Sequence, residues 1–180
     1  MFSANDSGIF LWLLLAYLST GIGVVQMILG KWREWYDSSK KAPLSPPNWV
    51  FSIVWPILDT LWGFGTWIAW KELDDASSYV VWILHWIFAL LVVVFKATWV
   101  PLFFGFAMPQ LALLVLIVTL PLVVAQCVLA FFVSLVAGGL LVPLSVWLLY
   151  ALYLNVYFVM ANDVVVEKNS RGVELESLTA

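Results

Sequence analysis

The chain has 180 residues, of which 64% are hydrophobic and 11% charged, with a formal net charge of -3. That much apolar surface exceeds what one small globule can bury, which excludes a water-soluble domain and implies a lipid solvent. The weak, dispersed charge excludes a nucleic-acid partner and a polybasic lipid anchor, and a single cysteine, Cys127, inside an apolar run excludes an intramolecular disulfide.

Runs of about 18 or more apolar residues are long enough to cross a hydrocarbon core of about 30 Å as helices. The first covers about 8–30. Asp6 precedes it and no basic residue does, unlike the positive flank of a cleaved signal peptide, so it reads as a span. A polar connection from Lys31 to Lys41 follows, and Pro46-Pro47 fix an extended entry to the second span, about 48–70. A short hydrophilic turn at 71–78 leads to a third span over about 79–102, with its end marked by Pro101 and Gly105. The fourth covers about 108–133, and a break near Ser134 to Gly139 separates it from the fifth, about 138–162. Residues 163–180 read as a charged, mobile tail. The fold class is therefore all-α: a bundle of five transmembrane helices over residues 1–162.

Five spans put the termini on opposite sides of the bilayer. Lys31, Arg33, Lys40, Lys41, Lys168 and Arg171 share one side and Lys71 stands alone on the other, so the first connection and the C-terminus should be cytosolic. Trp32, Trp35, Tyr36, Trp49, Trp70 and Tyr79 fall near span ends, where amphipathic rings anchor in the headgroup layer.

Several residues inside the spans need another account. Trp55, Trp62, Trp99 and Trp147 carry indole N–H groups that require partners away from water. Helical spacing puts Trp55, Asp59, Trp62 and Thr66 on one face of the second span. A carboxylate near mid-membrane costs about 2.5–3.5 kcal/mol on insertion scales, so Asp59 must face protein, water or a ligand, or be protonated. Lys96, in the third span, differs from it in depth by roughly 6 Å of helical rise. Two readings stay open: an Asp59–Lys96 pair lining a cavity, or Lys96 snorkelling to the cytosolic surface beside a neutral Asp59. His85 is the only histidine and lacks companions for a transition-metal site; it would serve either as an axial ligand to a metalloporphyrin or as an ordinary hydrogen-bonded residue near a span end. Gly63 with Gly65, and Gly138 with Gly139, suit close helix approach.

The order of motifs resembles the translocator protein family, also called tryptophan-rich sensory proteins or peripheral benzodiazepine receptors. Trp35-Tyr36, Lys41, Pro46-Pro47, Trp49-Val50, Val54-Trp55, Leu58 and Gly63 follow its W-Y…K-P-x-W-x-P-P…V-W-x-x-L…M-G pattern. Trp99 to Gly105 is similar to its W-x-P-x-F-F-G element, and Leu140 to Pro143, Trp147, Leu154-Asn155 and Asn162 to its last helix. The resemblance implies a five-helix bundle, often a homodimer, whose first connection is a lid over a pocket. It further implies binding of porphyrins such as protoporphyrin IX or haem, with cholesterol as a ligand of animal members, and residence in the mitochondrial outer membrane or endoplasmic reticulum if eukaryotic. Some microbial members are associated with light-dependent porphyrin breakdown, and the two tryptophans tied to that chemistry match Trp55 and Trp147; catalysis does not follow from their presence alone.

Departures from the pattern cluster at the pocket and lid. The lid tryptophan is Leu44, the Q-x-x-x-N pair of the third helix is Val92 and Lys96, the tyrosine after the last-helix proline is Leu144, and Asp59 stands where the family has an aromatic residue. Met160 replaces the arginine of the sterol-recognition pattern that would follow Tyr153 or Tyr157, so tetrapyrroles are favoured over sterols. The expected ligand-binding set is Trp55, Asp59, Trp62, Lys96, Trp99, Trp147 and Asn155, under a lid of Trp35, Pro46 and Pro47. No resident cofactor or dedicated metal is required.

Overall fold

The computed structural model describes residues 4–29, 32–73 and 79–178. Among these, every regular element is helical: α1 (Ala4–Leu29), α2 (Trp32–Ser38), α3 (Asn48–Leu73), α4 (Tyr79–Val100), a single π-helical turn (Pro101–Gly105), α5 (Pro109–Val133) and α6 (Leu135–Leu178). The stretches Gly8–Val25, Tyr79–Gly105, Pro109–Val133 and Leu135–Asn162 are long and apolar enough to cross a membrane. The second expected span coincides with α3. Its 26 residues are enough to reach about 39 Å, yet five of them are tryptophan and Asp59 lies near its centre, so by composition α3 is less apolar than the other four. Residues 163–178, expected as a mobile tail, continue α6 as helix, and 179–180 lie outside the described residues.

The long helices close a ring, α1 packing on α3, α3 on α6, α6 on α5, α5 on α4, and α4 on α1, and α3 also reaches across it to α4 and α5. Small residues make the contacts close. A Cβ on Gly65 would sit 2.2 Å from Leu141 Cδ1 and 2.9 Å from the Ala137 carbonyl, so glycine there lets α3 lie against the backbone of α6. Gly63 likewise abuts Leu13 of α1, and Gly138 abuts Phe131, whereas Gly139 faces open space and has no such role. Trp12, Trp62, Val92, Val123, Leu141, Leu144 and Leu148 fill the centre.

Without water, polar side chains must find one another. Trp62 Nε1 donates to Gln126 Oε1 at 3.0 Å, and Gln126 Nε2 donates to Thr66 Oγ1 at 3.1 Å, tying α3 to α5. Trp99 Nε1 donates to Asn155 Oδ1 at 3.1 Å, and Asn155 Nδ2 donates to the Pro109 carbonyl at 3.0 Å, which joins α4, α5 and α6 through one amide. Cys127 is buried with its thiol 3.5 Å from the Gly138 carbonyl, as expected of a small hydrophobe.

Pro101 cannot donate to the α-helical ladder, and the backbone answers with a wider turn in which Phe106 N–H reaches the Pro101 carbonyl at 2.9 Å. That turn swings Phe103 and Phe104 inward beneath α2.

Candidate functional site

A cavity of about 410 Å³ lies inside the bundle below α2 and the connection that follows it. Its walls come from every side of the ring: Thr20 and Val24 from α1, Phe51, Ser52 and Trp55 from α3, Phe95, Lys96 and Trp99 from α4, Leu116 and Thr119 from α5, and Leu148, Ala151 and Asn155 from α6. Trp32, Tyr36, Phe103, Phe104 and Phe158 form its aromatic roof.

The roof is a set of interlocked rings. Tyr36 stacks on Phe158 with centroids 5.9 Å apart and planes 12° from parallel. Trp35 meets Phe158 at 5.3 Å and Phe103 at 5.8 Å, while Trp32 meets Phe104 edge-on at 5.0 Å. Trp32, Trp35 and Tyr36, expected as headgroup anchors, therefore turn inward, because an aromatic face on α2 is better satisfied by the phenylalanines that the π turn presents. Trp49 and Tyr79 are exposed, whereas Trp70, expected beside them as an anchor, packs edge-on against Trp86 with centroids 6.3 Å apart. Burial, and then the neighbouring Asp37 carboxylate, push the Tyr36 phenol above its ordinary value, so it is a neutral hydroxyl at the mouth at physiological pH. Lys41 pairs with Asp37 at 3.2 Å and lies 4.5 Å from the Tyr36 ring centroid.

The connection is stitched to α6. Lys40 N–H donates to Asn162 Oδ1 and Asn162 Nδ2 donates back to the Lys40 carbonyl; Tyr150 and Tyr153 hydroxyls donate to the Leu44 and Pro43 carbonyls. Leu44 takes φ of 65° and is 87% exposed. A leucine in this left-handed region is held there by its surroundings, here by the turn that Ser45 N–H closes onto the Ala42 carbonyl.

The two most anomalous residues of the sequence meet. Lys96 Nζ donates to Asp59 Oδ1, both side chains are almost wholly buried, and the snorkelling alternative does not occur. The ammonium also lies 5.7 Å from the ring centroids of both Trp55 and Trp62. Of the expected ligand-binding residues, Trp55, Lys96, Trp99 and Asn155 line the cavity. Asp59 stands behind Lys96, Trp62 is engaged with Gln126, and Trp147 packs edge-on behind Trp55 at 6.5 Å, so these three are not in its wall. Neither are the expected lid residues Trp35, Pro46 and Pro47; Tyr36, Ala42 and Ser45 hold that place. His85 is fully buried beside Thr66, outside the cavity wall, where it cannot serve an iron held in the cavity.

The sequence reading missed Tyr36, Phe51, Phe95, Phe103, Phe104, Ala151 and Phe158 as wall residues. Apolar side chains in an apolar helix carry no mark separating a cavity wall from a lipid face. A shallow groove on the outside of α6, formed by Leu149, Leu152, Tyr153, Val156, Tyr157 and Met160, coincides with the position of the sterol-recognition pattern and holds no basic residue.

Residues 10–160 match the TspO/MBR family. The chain is 34% identical to the translocator protein of Sus scrofa over 71% of this chain and 75% of the pig protein. It is 32% identical to Protein CrtK of Rhodobacter capsulatus, covering 67% of this chain and 74% of that one, and 32% identical to the tryptophan-rich protein TspO of Archaeoglobus fulgidus, covering 83% and 94%.

Proposed function

The chain belongs to the TspO/MBR family and is a multi-pass integral membrane protein, and from that premise we propose that it binds flat hydrophobic ligands, tetrapyrroles before sterols, in the cavity below α2, with a role in their transport, sensing or homeostasis. The observation that carries this reading is the aromatic enclosure of the cavity: Trp55 and Trp99 in the walls and the Tyr36, Phe103, Phe104 and Phe158 rings above. Such surfaces stack on a macrocycle, and burial of apolar ligand area supplies most of the affinity, while Lys96 and Asn155 orient its polar edge. The volume falls in the range of about 300–1,000 Å³ usual for small-molecule sites. The missing basic residue at the outer α6 groove speaks against sterol recognition there.

Titrating protoporphyrin IX into the purified protein is expected to quench tryptophan emission with micromolar or tighter affinity, since Trp55 and Trp99 both face the cavity. Absence of quenching at saturating porphyrin in folded protein removes the tetrapyrrole reading.

A second reading, oxidative porphyrin breakdown in light, draws on one specific contact. Trp147 touches the back of the wall residue Trp55, and its Nε1 is buried with no partner in the structure, an arrangement suited to passing an oxidising equivalent away from the ligand. Product formation under light and oxygen separates this enzyme from a binder, and ligand-induced thermal stabilisation separates a binder from a purely structural membrane partner.

The same proposal includes α3 as a fifth span, a cytosolic C-terminus and a cytosolic first connection, from the distribution of basic residues. A reporter fused at the C-terminus is expected in the cytosol and one at the N-terminus on the opposite side. Both termini on one side would contradict five spans.

A further inference from the structure

We infer that the cavity selects ligands bearing a carboxylate, and that binding the acid takes up a proton at Asp59. This deepens the tetrapyrrole reading and rests on it. Among the described residues the cavity wall contains two cations, Lys41 and Lys96, and no carboxylate. Lys41, at the roof, is already engaged with Asp37. Lys96 lies deep among apolar and aromatic side chains and has three N–H donors; Asp59 Oδ1 accepts one, and the flanking rings of Trp55 and Trp62 offer faces but no acceptor lone pair. A buried ammonium that lines a cavity with donors to spare fits an anionic or strongly accepting ligand group.

Charge counting then dictates the proton. Lys96 and Asp59 together are neutral, so a ligand carboxylate placed on Lys96 leaves one net negative charge among largely apolar walls, where an uncompensated charge is costly. Protonation of Asp59 restores neutrality: the ammonium keeps its proton and transfers its partnership to the ligand carboxylate, and one proton from solvent converts Asp59 to the neutral acid. Asp59 Oδ2 is buried with no hydrogen-bond partner and is the atom free to receive it. The helices packed around α3 offer no rival site. Between residues 8 and 29, and between 109 and 162, the titratable side chains are Tyr17, Cys127, Tyr150, Tyr153 and Tyr157; α4 adds Tyr79, His85 and Lys96 itself, and His85 lies three helical turns from Lys96. Because the ligand enters with a proton, affinity for the acid falls as pH rises, by about tenfold per pH unit where ligand and Asp59 are both ionised before binding.

The test compares protoporphyrin IX with its dimethyl ester on the purified protein, by calorimetry in buffers of different ionisation enthalpy. The acid is expected to bind roughly tenfold or more tightly than the ester, with uptake of about one proton that the ester does not show. In Asp59→Asn, acid binding is expected to lose both its proton uptake and its pH dependence. The double variant Asp59→Asn/Lys96→Met, which leaves no unpaired buried charge, is expected to bring the acid-to-ester ratio to about one. Equal binding of acid and ester by the wild-type protein, or acid binding without proton uptake, overturns the inference while leaving the tetrapyrrole reading standing. Failure of both compounds to bind overturns that reading and the inference with it.

Discussion

Asp59→Asn and Lys96→Met are each expected to lower stability by about 3–5 kcal/mol, the usual cost of orphaning one member of a buried ion pair. Asp59 is completely buried and Lys96 is 8% exposed, so whichever group remains is left desolvated without its partner. The double variant is expected to recover a large part of the loss, because it removes both desolvated groups together. Chemical unfolding in detergent, followed through tryptophan emission, gives the four corners of the cycle. Additivity within about 0.5 kcal/mol would show that the two residues act independently, and the pairing would fall.

Ala151→Phe is expected to weaken protoporphyrin binding by about 100-fold, equivalent to about 2.8 kcal/mol at about 1.4 kcal/mol per decade. Ala151 lies on the cavity wall contributed by α6, next to Leu148 and Leu154, and is only 5% exposed. A benzyl group there grows into existing space instead of displacing a neighbour, so the unfolding midpoint should move by no more than about 2 °C. Fluorescence titration and thermal melts on one preparation check both halves. Undiminished binding would place the ligand elsewhere, with the outer groove on α6 as the first alternative.

What could be read in advance followed a physical pattern. Charged and amide groups in an apolar stretch are costly, so Asp59, Lys96 and Asn155 stood out, and each proves to hold helices together. Helical spacing correctly grouped Trp55, Asp59, Trp62 and Thr66 on one face of α3. The same logic applies to Gln126, the polar residue in the middle of α5 that satisfies both Trp62 and Thr66. Long apolar runs marked the ends of α1, α4 and α5 to within a few residues, whereas α3, loaded with indoles, is a helix of the right length with a weaker apolar signature. The aromatic roof was hidden for a different reason. Its assembly depends on Pro101 opening a π turn, which redirects Phe103 and Phe104 toward α2, and no periodicity reports a change of helical pitch five residues long.

The substitution of the lid tryptophan by Leu44 also acquires a structural meaning. Leu44 points outward and its carbonyl accepts from the Tyr150 hydroxyl, while the roof of the cavity is formed by Trp32 and Tyr36 of α2 packed on Phe103, Phe104 and Phe158.

The measurement that bears most directly on the central claim is an experimental structure of the protein with protoporphyrin IX bound. The macrocycle is expected inside the bundle, against Trp55 and Trp99, beneath Tyr36 and Phe158, with one carboxylate at Lys96. A macrocycle found instead in the groove of Tyr153, Tyr157 and Met160, with the internal cavity empty, would contradict it.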